Sequence, residues 1–360
     1  MNKTEMNKRI TDFMARFGLQ LPILLAPMAG ACPPGLSAAV ANSGGLGACG
    51  ALLMQPHEIA HWASALRRAT NGPFQLNLWI PDPPPHRDRA AEIALRDFLG
   101  QWGPAVADDA GDAQPPDFAA QCEALLDAGP SVVSSIMGLF PPAYVTRLKS
   151  RGIAWFATAT TVAEARAAAD AGADAIVAQG MEAGGHRGAF NASDAERAQI
   201  GLFALVPAVA DAVSVPVIAT GGIADARGVT AALLLGASAV QIGTGYLRCP
   251  EAGIAPAWAD ALATTLPEAT EVTRAFSGRA GRGIATEYVR AAAGGPVPAP
   301  YPVQRGLTSG MRSAAGRAND ISRMQAWAGQ SAALAQAEPA GVLTLRLWSE
   351  TVTLLGLQPR

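Results

Sequence analysis

The stretch QGMEAGGHRG, residues 179–188, sets one ionisable imidazole, His186, among glycines, with Glu182 and Arg187 beside it. The chain has only four histidines. An imidazole can exchange a proton or orient an anion near pH 7, and glycines around it let the backbone close on a ligand. Glu182 and Arg187 are less distinctive, since an adjacent surface ion pair would have the same sequence. Two amides, Asn77 and Gln179, interrupt otherwise apolar runs. A buried amide must find partners; neighbouring backbone would serve, and so would the edge of a flat polar ring. The turns at Gly221-Gly222 and Gly243-Thr244 offer backbone N–H groups of the kind that hold a phosphate.

Two other stretches match known signatures out of context. HEIAH, from His57 to His61, has the spacing that puts two imidazoles on one helix face for zinc. Ile59, Trp62 and Leu66 fall roughly opposite them, so the histidines belong to a solvent face, and Arg67 stands where a third ligand would follow. GLGACG (45–50) fits a dinucleotide fingerprint, yet it follows a helix-like segment and leads into a strand, the reverse of what that fingerprint requires. We read it as a helix stop and turn, and assign no metal site. No serine or cysteine sits in a recognisable nucleophile pattern.

The elements that must position these groups are eight short apolar runs: 22–28, 47–54, 74–80, 131–137, 154–159, 175–180, 216–222 and 239–244. Ala-rich segments of helical period separate the last four. Continuous apolar strands alternating with helices imply a parallel sheet covered on both sides. Eight such units in this length predict an α/β fold, a closed (β/α)8 TIM-type barrel, with its chemistry where the strands end. Ala26, Pro27, Met28, Asn77, Gln179, Gly221, Gly222, Gly243 and Thr244 all fall at such ends. Residues 1–245 are therefore predicted to form the barrel, with a segment inserted at about 81–130. Residues 246–360 would add a helical and loop extension over the active-site face, forming with the insertion a second, partly helical domain. Ile10, Phe13, Met14 and Phe17 recur at helical spacing near the start.

Composition narrows the function. Half the residues are hydrophobic, 16% are charged and the net charge is −2. That supports a large core and argues against nucleic acid or an anionic membrane as partner. No apolar run reaches membrane-spanning length. The N-terminal segment has no signal-peptide centre, and the four irregularly spaced cysteines read as reduced thiols, so a cytoplasmic location is expected.

Taken together, APMAG (26–30), NLW (77–79), QGMEAGGHRG (179–188), PVIATGGIAD (216–225), QIGTGYL (241–247), AFSGRAGRG (275–283) and WAGQ (327–330) resemble the nitronate monooxygenase family, formerly 2-nitropropane dioxygenases, in its FMN-dependent, class I-like form. The likeness runs over nearly the whole chain. It implies FMN, with the backbone at Ala26, Pro27 and Met28 flanking the isoalloxazine and with Asn77 and Gln179 hydrogen-bonding it. Gly184, Gly221, Gly222 and the turn Gln241, Ile242, Gly243, Thr244 would hold the phosphate. His186 aligns with the family's active-site histidine. Some family members carry a histidine or an aromatic residue where this chain reads Ser135, Ile136 and Met137, a departure that bears on substrate preference.

The resemblance also implies a reaction. A nitronate, with propionate 3-nitronate (a toxic metabolite handled by the family) as first candidate, gives one electron to the flavin, leaving a semiquinone. Oxygen then completes conversion to a carbonyl compound and nitrite. His186 would steady the nitronate, or abstract the α-proton of a neutral nitroalkane. Three alternatives stay open at this point: an NAD(P)H-linked reductase of enoyl thioesters or quinones on the same barrel, a non-catalytic flavin-binding protein, and the zinc hydrolase that HEIAH would imply. The partners expected are the small substrate and O2, in a monomer or homodimer.

Overall fold

Six of the apolar runs form β1 (Ile23–Leu25), β2 (Gly47–Gly50), β3 (Phe74–Trp79), β4 (Val132–Ile136), β5 (Ala154–Ala159) and β6 (Ala175–Gln179) in the computed structural model, which describes residues 3–357. The short β7 (Gly185–His186) leaves the barrel, and the remaining two runs form β8 (Val217–Thr220) and β9 (Ala239–Ile242). The eight barrel strands are all parallel, in the order β1-β9-β8-β6-β5-β4-β3-β2, and a parallel bridge between Leu24 and Leu46 closes the ring. This is the (β/α)8 barrel expected from the sequence.

The strands read as unbroken apolar runs because both of their faces are buried. Leu24, Val132, Phe156, Val177, Ile218 and Ala239 point to one core, while their neighbours Ile23, Val133, Trp155, Ile176, Val217 and Val240 point to another. The first of these is the barrel interior. Its floor is the helix Lys3–Phe17, whose Phe13 and Phe17 rings lie 6.3 Å and 4.8 Å from that of Phe156.

Among the described residues seven helices line the ring, one after each of its first seven strands in chain order, from Pro34–Asn42 to Ala226–Leu234; β7 intervenes before Leu202–Ala210, and Arg89–Gly100 before Phe118–Ala128. Pro56–Ala69 and Val162–Asp170 each begin with a capping box, Gln55 with Glu58 and Thr161 with Glu164. The eighth place, after β9, is filled from the end of the chain: Ala340–Leu355 packs against Ala226–Leu234 and Pro34–Asn42. Within 81–130, Phe118–Ala128 packs on Pro56–Ala69 as a ring helix. Arg89–Gly100 instead joins the C-terminal region, where Leu95 and Leu99 share a second core with Phe276, Tyr288, Val303 and Met311.

Beyond the helices and proline-rich loops expected after residue 246, the structure adds a small sheet. β10 (Thr270–Thr273) pairs antiparallel with β11 (Gly281–Ile284), and β11 pairs with β7. His57 and His61 face solvent while Ile59, Trp62 and Leu66 are buried, and residues 45–50 turn from a helix into β2, both as read from the sequence. Among the described residues no helix is long and apolar enough to cross a membrane.

Candidate active site

The barrel collects its strand ends at one mouth. Neighbouring β1 and β9 bring Ala26 and Met28 against Gly243: a side-chain carbon added at Gly243 would lie 3.3 Å from Ala26 Cβ and 3.4 Å from Met28 Sδ. The Cys32 thiol fixes the turn in which Pro27 sits, donating to Ala26 O at 3.3 Å and accepting from Met28 N at 3.4 Å. Gln241 and Ile242 are buried, and Gln241 Oε1 accepts from Gln75 Nε2 at 3.0 Å. Gln75 Oε1 itself is buried without a partner among the described residues.

Gly221 and Gly222 have φ of +117° and +65°, the region that favours glycine. The amides of Gly221, Gly222, Ile223 and Gly243 donate to no other group among the described residues. Unspent N–H groups at the ends of two adjacent strands make an open cradle of the kind that can accept an anion. The WAGQ segment lies against this cradle: Thr244 Oγ1 accepts from Gly329 N at 2.9 Å, and a carbon added at Gly184 would come within 2.7 Å of Ala328 C.

His186 stands on β7, opposite Gly281 of β11. Its Nε2 lies 2.7 Å from Ser277 Oγ, and the Trp79 and Trp327 rings meet it edge-on at 4.6 Å and 4.9 Å. Gln179 is spent on the same segment: Nε2 donates to His186 O at 3.1 Å, while Oε1 accepts from Gly188 N at 2.8 Å and Arg187 Nη1 at 3.2 Å. Asn77 donates from Nδ2 to Ser134 Oγ at 3.0 Å. Arg187 and Glu182 do not form the ion pair their adjacency allowed. Arg187 is 1% exposed and donates to Gly180 O at 2.6 Å, and burial lowers its pKa to about 10, so it stays charged at neutral pH. The Glu182 carboxylate accepts from Leu202 N at 2.9 Å, capping the next helix.

Cations dominate the surroundings. Buried Arg279 pairs with Asp82 at 2.6 Å and donates to Ala189 O at 2.7 Å, and Arg282 donates to Met181 O at 2.9 Å, so two arginines lash the 181–189 segment to the small sheet. Arg312 bonds Thr308 Oγ1 and Arg305 O but no carboxylate, and the half-buried Arg305 guanidinium has no partner at all among the described residues. The Tyr301 hydroxyl, whose ring lies 5.3 Å from that of Trp79, is likewise buried without one. Burial first, then the charges of Arg305, Arg279 and Arg312, push the His186 pKa down to about 3. Part of the ring is open to the site, where water moderates the shift; the direction keeps the imidazole neutral through the physiological range. In the Ser135-Ile136-Met137 run, Ile136 lies beneath Gly188, and Met137 takes a left-handed φ of +68°.

A parallel barrel that gathers unspent backbone amides at its strand ends, with a neutral imidazole and unpaired guanidinium groups of the C-terminal region beside them, has the layout of a barrel enzyme. The model of the nitronate monooxygenase family matches residues 11–349. A nitronate monooxygenase of Paraburkholderia phytofirmans is 36% identical over 345 residues, covering 92% of this chain and 93% of that one. The solved nitroalkane oxidase of Streptomyces ansochromogenes superposes with a TM-score of 0.86 at 37% identity, over 94% of this chain and 98% of that one. FabK from Thermotoga maritima gives 0.75 at 29%, over 96% and 98%. The chain belongs to the nitronate monooxygenase family, and it is a flavin-dependent oxidoreductase whose activity class is the oxidation of nitronates.

Sequence reasoning brought Ala26–Met28, Asn77, Gln179, His186 and the glycine turns to this mouth but assigned no roles to Trp79, Ser277, Arg279, Arg305, Arg312 or Trp327. For Trp79, Ser277, Arg279 and Trp327 a signal was present, since they fall within NLW, AFSGRAGRG and WAGQ. Arg305 and Arg312 lay in no such motif.

Proposed function

We propose that the protein uses FMN and O2 to convert an alkyl nitronate, propionate 3-nitronate first, to a carbonyl compound and nitrite. The observation that carries this is the unpartnered guanidinium of Arg305 among the groups around neutral His186, a setting that favours an anionic substrate. The cradle fits a flavin mononucleotide: unspent amides at Gly221, Gly222, Ile223 and Gly243 suit a single phosphate, and glycine at these turns keeps them open. Gly184, Gln241, Ile242 and Thr244 would complete the phosphate end. Ala26, Pro27 and Met28 would flank the ring, and Asn77, with the one unused Nε2 hydrogen of Gln179, would face its polar edge. When bound, flavin supplies the electron transfer between substrate and oxygen.

The chain's own residues do the rest. Arg305 and the Tyr301 hydroxyl offer donors to a negative group. Trp79 and Trp327 cover two sides of the imidazole, with the Tyr301 ring against Trp79, and leave its remaining edge open to the site. Neutral His186 can donate a hydrogen bond to a nitronate oxygen, or accept the α-proton of a nitroalkane.

The test is an anaerobic visible spectrum of flavin-loaded protein before and after propionate 3-nitronate. Loss of the oxidised flavin band, with nitrite formed once air is admitted, is the expected result. A band that nitronate leaves unchanged and NADH bleaches would replace this reading with an NAD(P)H-linked reductase.

A further inference from the structure

We propose that Ser277 is a positioning residue that sets the tautomer of His186, and with it whether the site is poised for a nitronate or for a neutral nitroalkane; the substrate half of this rests on the function proposed above. Ser277 is 1% exposed and lies between β10 and β11, which also bring Gly281 opposite His186. One segment therefore supplies both the backbone register and the side-chain partner of the imidazole.

The hydroxyl has one hydrogen and two acceptors within reach. His186 Nε2 is 2.7 Å away and Arg279 O is 3.2 Å away, while Arg279 N donates to Ser277 Oγ at 3.3 Å. A shorter O–H···N contact is the stronger one, and the donation from Arg279 N occupies a lone pair of the hydroxyl oxygen. The resting arrangement has Ser277 donating to an unprotonated Nε2, which puts the imidazole hydrogen on Nδ1. Among the described residues Nδ1 has no hydrogen-bond partner, and it is not sealed from solvent, so it opens to the site. A neutral ring thereby presents an N–H to an anionic oxygen without carrying a charge itself.

Attack on a neutral nitroalkane needs the other tautomer. Nε2–H then donates to Ser277 Oγ, and the hydroxyl hydrogen turns to Arg279 O. The Nδ1 lone pair takes the α-proton as the C–H bond breaks, its electron pair moving into the nitro group to give the nitronate and an imidazolium. With a single hydrogen, Ser277 supports one of these states at a time, and the 2.7 Å contact favours the nitronate-ready one.

The experiment is ring 15N NMR of flavin-loaded, histidine-labelled protein near pH 7, with His186 assigned from the signal lost in His186→Gln among the four histidines. The wild type should show protonated Nδ1 and unprotonated Nε2. Ser277→Ala should revert to the Nε2–H form usual for an unconstrained imidazole, with its ring still held between Trp79 and Trp327 and its flavin content unchanged. Nitronate kcat/KM should fall about tenfold relative to nitroalkane kcat/KM in the same variant. Ser277→Thr, which keeps the hydroxyl, should restore the wild-type pattern. A wild-type Nε2–H tautomer, or a tautomer unmoved in Ser277→Ala, overturns the proposal. A tautomer that flips in a protein oxidising no nitronate supports the Ser277 assignment and refutes the functional reading instead.

Discussion

Replacing His186 with glutamine should make the protein less sensitive to mild acid. A histidine with pKa near 6.5 in the unfolded chain and about 3 in the folded one binds a proton only when unfolded between those values. The unfolded state then holds more protons, so stability rises with pH across that window and is lost as pH falls. Going from about pH 7.5 to about pH 5.5, the loss from this one group is about 1.4 kcal/mol. The result hardly depends on the folded value so long as that lies below about 4.5, because the unfolded chain does nearly all the titrating in this range. Water reaching the open part of the ring therefore does not blunt the prediction.

Urea unfolding of wild type and His186→Gln, both flavin-loaded at fixed excess flavin, would measure it at the two pH values. The difference between the proteins at one pH, subtracted from that at the other, cancels the packing that the imidazole provides at either pH. Wild type should lose about 1.4 kcal/mol more than the variant. Equal losses would mean that His186 titrates normally, refuting the argument that burial and the neighbouring guanidinium groups keep it neutral.

Gly222→Asp should be purified without flavin, because it puts a side chain where φ is +65°, its Cβ 3.1 Å from Glu182 Cβ, and adds negative charge to the cradle; stoichiometric flavin absorbance in that variant would refute the phosphate placement. Arg305→Met should raise KM for an anionic nitronate by about 10- to 100-fold, the worth of hydrogen bonds to a charged group, with flavin content unchanged. An unaltered KM would remove Arg305 from substrate binding. Phe13→Ala should cost about 3–4 kcal/mol in urea unfolding, since the ring is 1% exposed and fills the barrel floor against Phe17 and Phe156. A loss below about 1 kcal/mol would show that the floor repacks.

The barrel was legible because burial on both faces leaves a one-dimensional trace: AIVAQ of β6 is apolar throughout until it reaches the mouth, where Gln179 appears. What Gln179 touches was not legible, because its partners are backbone groups of a segment that folds back onto it. β7 has two residues and no period to detect, and its pairing with β11 joins residues nearly a hundred positions apart. Arg187 and Glu182 show the same limit. They are close in sequence, yet one is sealed against Gly180 O and the other caps a helix. The helix Ala340–Leu355 has an ordinary amphipathic pattern, and only the packing shows that it completes the ring. A lone guanidinium such as Arg305 is a fact about surroundings, which composition does not carry.

Those surroundings give the low pKa of His186 a functional sense. On the proposed chemistry both the substrate and the product nitrite are anions. An imidazolium beside Arg305 would hold both tightly, and binding that strengthens reactant and product alike does not speed turnover. It would also have no lone pair left for a nitroalkane proton. A neutral ring avoids both costs if its hydrogen is correctly placed, and the short contact with Ser277 supplies that placement. Burial does most to keep the imidazole from becoming another positive charge; the guanidinium groups add to that effect and, on the proposed chemistry, also attract the anion. The division of structure follows: barrel strand ends supply the cradle, while Ser277, Arg279 and Arg282 of the small sheet hold the histidine segment over it.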